Sequence, residues 1–294
     1  MRNRNTRAVT RLAATPVVLA GLLFAVPATA KAPVIEIGGP GGLPAPSCDG
    51  TPANDRGKPK GLGRCSVLTR TTVYPVKDGA ALNPTTVPKD SKLVAITLRL
   101  GVLKDSKRCI RYKRVKGKRV CAEYDVFNEK SYFDKTFGSG SKVRIAILRD
   151  VKKPKGSKAI ILKKTVFLGP EIRLEKWFGR TVSLPLNSPI TVAKGDVVGL
   201  SIPTYAPILP IQATDNGDRW RASRPPSGFK PVDPATGKVV TIDPATKKRP
   251  DPCAAKWGVI FVQSAITTSG PTTDFRCRYP GTPTFQFTLI PIPT

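Results

Sequence analysis

Short apolar runs, separated by proline and glycine, are the feature that most restricts how this chain can fold. Its 30 prolines and 25 glycines sit mostly between runs rich in Val, Ile, Leu and Thr. A proline inside a helix removes a hydrogen bond and clashes with the preceding turn, so long helices have little room here. The runs have strand character instead. Over residues 92–100, Val94, Ile96, Leu98 and Leu100 fall on one face, and Leu93, Ala95, Thr97 and Arg99 on the other. A period of two marks a half-buried strand, with the first set towards the core. Similar runs occur at 66–76, 109–112, 119–124, 143–148, 159–168, 182–186, 190–192, 197–202, 259–266 and 285–290. Many short strands joined by Gly/Pro turns define an all-β class, and the expected architecture is a jelly-roll-like β-sandwich with long loops. One short helix at most is expected, at 171–178, besides an N-terminal signal helix.

The signal occupies residues 1–30. Arg2, Arg4, Arg7 and Arg11 precede an uncharged stretch from Ala13 to Ala30, which closes on Ala28-Thr29-Ala30. A basic start, a short apolar centre and a small-x-small exit are the parts of a secretory signal peptide. The first cysteine is Cys48, well past that exit, so attachment of a lipid there is not expected. No later segment is apolar enough to cross a bilayer as a helix. Residues 31–65 read as a flexible Gly/Pro-rich leader, and 66–294 as the sandwich domain. Within the latter, 223–252 reads as a surface loop insertion. There Val232-Asp233-Pro234-Ala235-Thr236 returns as Ile242-Asp243-Pro244-Ala245-Thr246. Asp-Pro-Ala-Thr is turn chemistry, because Asp caps and Pro fixes φ.

Charge and cysteine content then say what such a domain meets. Removing the signal takes four arginines and no acid, so 49 basic and 20 acidic residues become 45 and 20, a net charge of +25. A field of that sign attracts anionic polymers and surfaces, more weakly as salt rises. Outside a cell the expected partner class is anionic cell-wall or extracellular polysaccharide, and the expected location is extracellular or wall-associated. The chain contains no His. That excludes Ser-His-Asp and Cys-His catalysis and the His-containing zinc sites. Six cysteines in an exported chain read as a disulfide framework, and proximity pairs Cys48 with Cys65, Cys109 with Cys121, and Cys253 with Cys277. The scattered spacing has no metal-site pattern, and neither a metal nor a cofactor is called for.

Two places carry candidate binding residues. The densest positive charge lies on Arg108, Arg111, Lys113, Arg114, Lys116, Lys118 and Arg119, with Tyr112 and two cysteines among them. Gly117 predicts a turn, so the stretch reads as a basic β-hairpin that could track a polyanion by ion pairing and ring contact. It matches no specific nucleic-acid motif. The plainer alternative is a solvated hairpin whose charges deter edge pairing. The second place is Trp220, Arg221 and Arg224, where an exposed ring beside guanidiniums would suit a sugar or a carboxylate. A buried packing Trp is the default reading. Asp215-Asn216-Gly217-Asp218 has oxygens but lacks the alternating calcium-loop framework. Lys194-Gly195-Asp196 reads as a turn into a strand. A glycosidase would need facing carboxylates, for which Glu123 with Asp125, or Glu171 with Glu175, are the available same-face pairs. No catalytic residue is assigned.

The stretches Phe178-Gly179-Arg180-Thr181, Pro189 to Pro207 and Trp220 to Arg224, with the closing Cys253…Cys277 segment, together resemble a group of secreted, uncharacterised actinobacterial proteins. That resemblance implies a jelly-roll or galactose-binding-like sandwich over roughly 66–294 and an exported location. It supplies no functional residues. The expected function is therefore a non-enzymatic binding or structural module, with a sugar-recognising module or a carboxylate-dependent carbohydrate-active enzyme as alternatives.

Overall fold

The computed structural model describes residues 33–39, 41–48, 65, 67–152, 161–210, 217–223, 253 and 265–293. Along the chain the elements are β1 (Ile35–Ile37), β2 (Leu68–Asp78), β3 (Ala81–Leu82), β4 (Ser91–Arg99), β5 (Asp105–Val115), β6 (Lys118–Asn128) and α1 (Glu129–Phe137). Then come β7 (Lys142–Asp150), β8 (Leu162–Leu168), β9 (Ile172–Arg173), a 3-10 turn (Glu175–Trp177), β10 (Thr181–Val192) and β11 (Val197–Ala206). β12 (Arg219–Ala222), β13 (Thr272–Asp274), β14 (Cys277–Pro280) and β15 (Phe285–Pro291) complete the set. The all-β class holds.

Two antiparallel sheets make the sandwich. The smaller runs β1-β15-β4-β10, and the larger runs β13-β8-β7-β11-β2-β12-β14, with β3 beside β2 and β9 beside β7. Both send side chains into one core. Leu93, Ile96, Leu98, Phe285, Phe287 and Leu289 come from the smaller sheet, and Val73, Val143, Ile145, Ile147, Val198, Leu200 and Ile202 from the larger. Each such side chain stabilises the fold by about 1.5–3 kcal/mol through the water it leaves.

The larger sheet is buried on its other face too. Tyr74, Ala146, Leu148 and Val197, the alternate residues of β2, β7 and β11, pack against Ile266 and Phe275. A polar net holds this cover. The Thr72 hydroxyl donates to Ser201 Oγ at 3.1 Å and accepts from Ile266 N at 2.9 Å, while Ser201 Oγ donates to Ile266 O at 2.6 Å. Burial on both faces explains why β7 and β11 are apolar almost throughout rather than alternating.

Four expectations need correction. In β4, Ala95 pairs with Thr288 of β15, yet Leu93 pairs with the next residue, Leu289, so Val94 is an extra, bulged residue against β15, while against β10 the irregularity lies in β10 between Pro185 and Ile190. The bulge reverses the phase: Leu93 is buried and Val94 only half-buried. The helix expected at 171–178 is absent, because Ile172 and Arg173 pair with Val143 and Lys142 and only a 3-10 turn follows. The α-helix is α1 instead. The Asn128 side chain accepts from Ser131 N at 2.6 Å to cap it, and Phe133 and Phe137, one turn apart, bury against Tyr205. Finally, the leader is not free over its described part. Ile35, Glu36 and Ile37 pair with Leu289, Thr288 and Phe287, Ser47 N donates to Leu209 O at 2.6 Å, and Cys48 is buried. Without β1, the inner strand β15 would be an open edge.

Cys48–Cys65 and Cys253–Cys277 are disulfides, as proximity predicts. They suit an oxidising compartment. Cys121 is also disulfide-bonded, and the side chain of its expected partner Cys109 lies outside the described residues. So do residues 259–264 of the strand expected at 259–266, whose described end, 265–266, is not strand, and residues 224–252 of the insertion expected at 223–252. No described helix is long and apolar enough to cross a membrane.

Candidate functional site: the basic hairpin

Among the described strands, β5 and β6 pair with each other and with no other. Eleven residues per strand at about 3.3 Å each make an arm roughly 35 Å long. Val115 opposite Lys118 closes it, across a two-residue turn in which Lys116 (φ 47°) and Gly117 (φ 72°) are both left-handed. That is the hairpin turn whose twist matches the strands, and Gly117 takes its position without strain.

The root is tied to α1. Asn128 ends β6 and caps α1, and its Nδ2 donates to Asp105 Oδ1 at 2.5 Å across the strand pair. Glu129 follows at once, buried, accepting from Lys104 N at 3.2 Å. Burial pushes the Glu129 carboxyl up to about 7; the Lys104 N–H opposes the rise and the neighbouring Asp105 adds to it. Asp134, one helical turn on, accepts from Tyr205 Oη at 2.8 Å and Gly140 N at 2.9 Å. Burial pulls its carboxyl upward, but the hydrogen bonds from Lys130, Gly140 and Tyr205 outweigh that and hold it below the usual range. Sequence reading missed this root. Its signal was the Asn128 cap with an acid in the first helical turn.

Past the root the arm is solvated. Arg111, Lys113, Arg114, Lys116, Lys118 and Arg119 are exposed, and no acid stands between Arg111 and Cys121. Alternate pairs take alternate faces. From the register shift to the turn, Lys113–Val120 and Val115–Lys118 share one; Tyr112–Cys121 and Arg114–Arg119 share the other, and Arg111–Glu123 lies beyond the shift. Glu123 meets Arg111 at 3.3 Å, and the Arg119 guanidinium lies 4.0 Å over the Tyr112 ring. Arg114 stands directly opposite Arg119, a like-charge pair that destabilises a free hairpin. Of the hairpin cations, the side chains of Lys107 and Arg108 lie outside the described residues. Apolar side chains are exposed here as well: Ile110 (53%), Val115 (45%), Val120 (38%), Tyr124 (51%) and Val126 (61%).

Trp220 does not join this site. It is 7% exposed in β12, stacked on Tyr279 at 4.6 Å between centroids, with Nε1 donating to Pro280 O at 3.0 Å. A ring held so offers no open face to a sugar: Trp220 is the buried packing Trp of the default reading, and its candidacy as a sugar-binding residue is corrected. Arg221 Nη1 donates to the carbonyls of Phe275 and Arg276, both at 3.1 Å. Arg224 lies outside the described residues.

Several other described acids hold local structure, while the side chain of Asp125 lies outside the described residues. Glu171 pairs with Lys142 at 3.2 Å, and Glu175 accepts from Ser141 N at 3.0 Å. Buried Asp196 accepts from Arg149 at 2.7 and 2.8 Å and from Ala193 N at 3.0 Å, closing the expected turn at Gly195 (φ 87°). Asp218 accepts from Gly79 N at 2.7 Å. Burial, then Asp218, push the nearby Asp78 carboxyl up, with Thr282 opposing. Asp215 and Asn216 lie outside the described residues.

Fold and site together define a disulfide-stapled all-β domain carrying a projecting cationic hairpin. No family model matches the chain, and no curated protein or solved structure matches it either.

Proposed function

We propose that this chain is an exported, non-enzymatic binding module whose β5–β6 hairpin engages acidic material outside the cytoplasm by charge. The observation that carries the reading is the opposed pair Arg114–Arg119 in a stretch with no acid between Arg111 and Cys121. Such a pair costs the free hairpin stability and is relieved by an anion placed between the guanidiniums, whose planar forks suit carboxylate or phosphate. The signal-like residues 1–30 and the disulfides support an extracellular or wall-associated site of action, where anionic cell-wall or extracellular polysaccharide and anionic phospholipid headgroups are the acidic partners within reach.

The test is retention on an immobilised acidic polysaccharide across a salt series. The chain should bind at low salt and release steeply. Replacing Arg114, Lys116, Lys118 and Arg119 by Gln should lower the log–log salt slope by roughly one per cation removed. Unchanged retention and slope in that variant overturn the reading.

A further inference from the structure

Charge alone leaves the apolar half of the arm unexplained. Most of the large apolar side chains that stand exposed among the described residues belong to this one hairpin. Val115 and Val120 are diagonal neighbours at its tip, and Lys113 and Lys118 form the other diagonal of the same four-residue patch. A surface built only for a soluble polyanion has no use for valines in that position, since exposed apolar area costs free energy until something covers it. Tyr112 and Tyr124 add rings with an apolar body and a polar tip, the kind of side chain that favours a lipid–water boundary.

We propose that the acidic surface the hairpin engages is an anionic lipid bilayer. Val115 and Val120 enter the headgroup–acyl boundary, while Lys113, Arg114, Lys116, Lys118 and Arg119 meet headgroup phosphates. Charge complementarity selects this occupant over a neutral apolar partner, because every apolar residue at the tip has a cation beside it. Depth is limited by the backbone. A lone two-stranded hairpin has unpaired N–H and C=O groups on both outer edges, which hydrocarbon does not tolerate. The tip therefore seats in the interface and the arm does not span. The proposal rests on the charge-driven reading above.

The experiment uses the protein recovered from an exporting host, with three probes: phosphatidylcholine vesicles, the same vesicles containing phosphatidylglycerol, and soluble polyphosphate. Polyphosphate presents the anion without acyl chains. Binding is expected to the phosphatidylglycerol vesicles and not to phosphatidylcholine alone. Val115→Ser with Val120→Ser should weaken vesicle binding at least tenfold and leave polyphosphate binding unchanged. In a separate variant, Val115→Trp should gain fluorescence that brominated lipid quenches. Polyphosphate binding without vesicle binding overturns the lipid proposal and leaves the charge reading standing. Equal vesicle binding by the double serine variant also overturns it. A dimer that forms without lipid and is lost in that variant puts a second copy over the valines and overturns it too. Failure to bind either anionic probe sinks both readings.

Discussion

β7 and β11 on one side, and β5 and β6 on the other, are built from similar residues and end in opposite surroundings. Val143, Ile145 and Ile147 of β7 and Val198, Leu200 and Ile202 of β11 are sealed in the main core. Ile110, Val115, Val120 and Val126 of the hairpin are exposed. Strand propensity is the same in both cases. What differs is the number of neighbours a strand has: β7 and β11 have partners on both edges and cover on both faces, and among the described strands those of the hairpin pair only with each other. A β-branched side chain fits a pleated surface; only packing decides whether it stabilises one.

The sharpest test of that difference sets one truncation against another. Phe287→Ala, in the sealed core, should cost about 3–5 kcal/mol in chemical denaturation. Val120→Ala, at the hairpin tip, should stay within about 0.5 kcal/mol. Comparable losses would mean that the tip is packed and the contrast false.

A smaller effect is expected at the net that holds the outer cover. Thr72→Val leaves Ile266 N without its acceptor and should cost about 1–3 kcal/mol. The same change should speed amide exchange at Ile266 more than at Leu200. Uniform acceleration would show that the cover and the sheet open as one.

The smallest effect lies at the hairpin root and depends on pH. Burial pushes the folded Glu129 carboxyl up to about 7, above its ordinary value of 4.5, so the folded state holds that proton more tightly than the unfolded one. Its contribution is fully present below about pH 4.5 and is lost as pH rises through about 7. The Lys104 amide should therefore exchange faster at pH 8 than at pH 5, after correction for intrinsic rates. Glu129→Gln should remove the difference, and a difference that survives would assign the titration to another group.

The class and most strands were legible from alternation and Gly/Pro punctuation, because both report local backbone preference. Three features were not. The bulge at Val94 shows only in the register of β15 with β4, which is a long-range pairing. The stretch 171–178 has helical spacing, but Ile172 and Arg173 are claimed by β7. α1 hid between strand-like runs, although Asn128, Phe133 and Phe137 gave its cap and its buried face. At the candidate site, Gly117 and the clustered cations were readable. A buried Trp220 was the default reading too, but its stacking partner was not readable, since Tyr279 reaches the same sheet from 59 positions later. Nor did the cationic pattern reveal that the hairpin valines stand in water, because alternation finds a face without saying what covers it.

Asn128 belongs to strand and helix at once, with no linker between them. Mechanically, the arm is thus a cantilever: its inner strand is continuous with a helix whose phenylalanines are set in the domain. A pull on an anchored tip would run along β6, through the Asn128 backbone, and arrive at Phe133, Phe137 and Tyr205. A domain tethered in this way would feel drag from its surroundings as a load on α1 before the sandwich carried any of it.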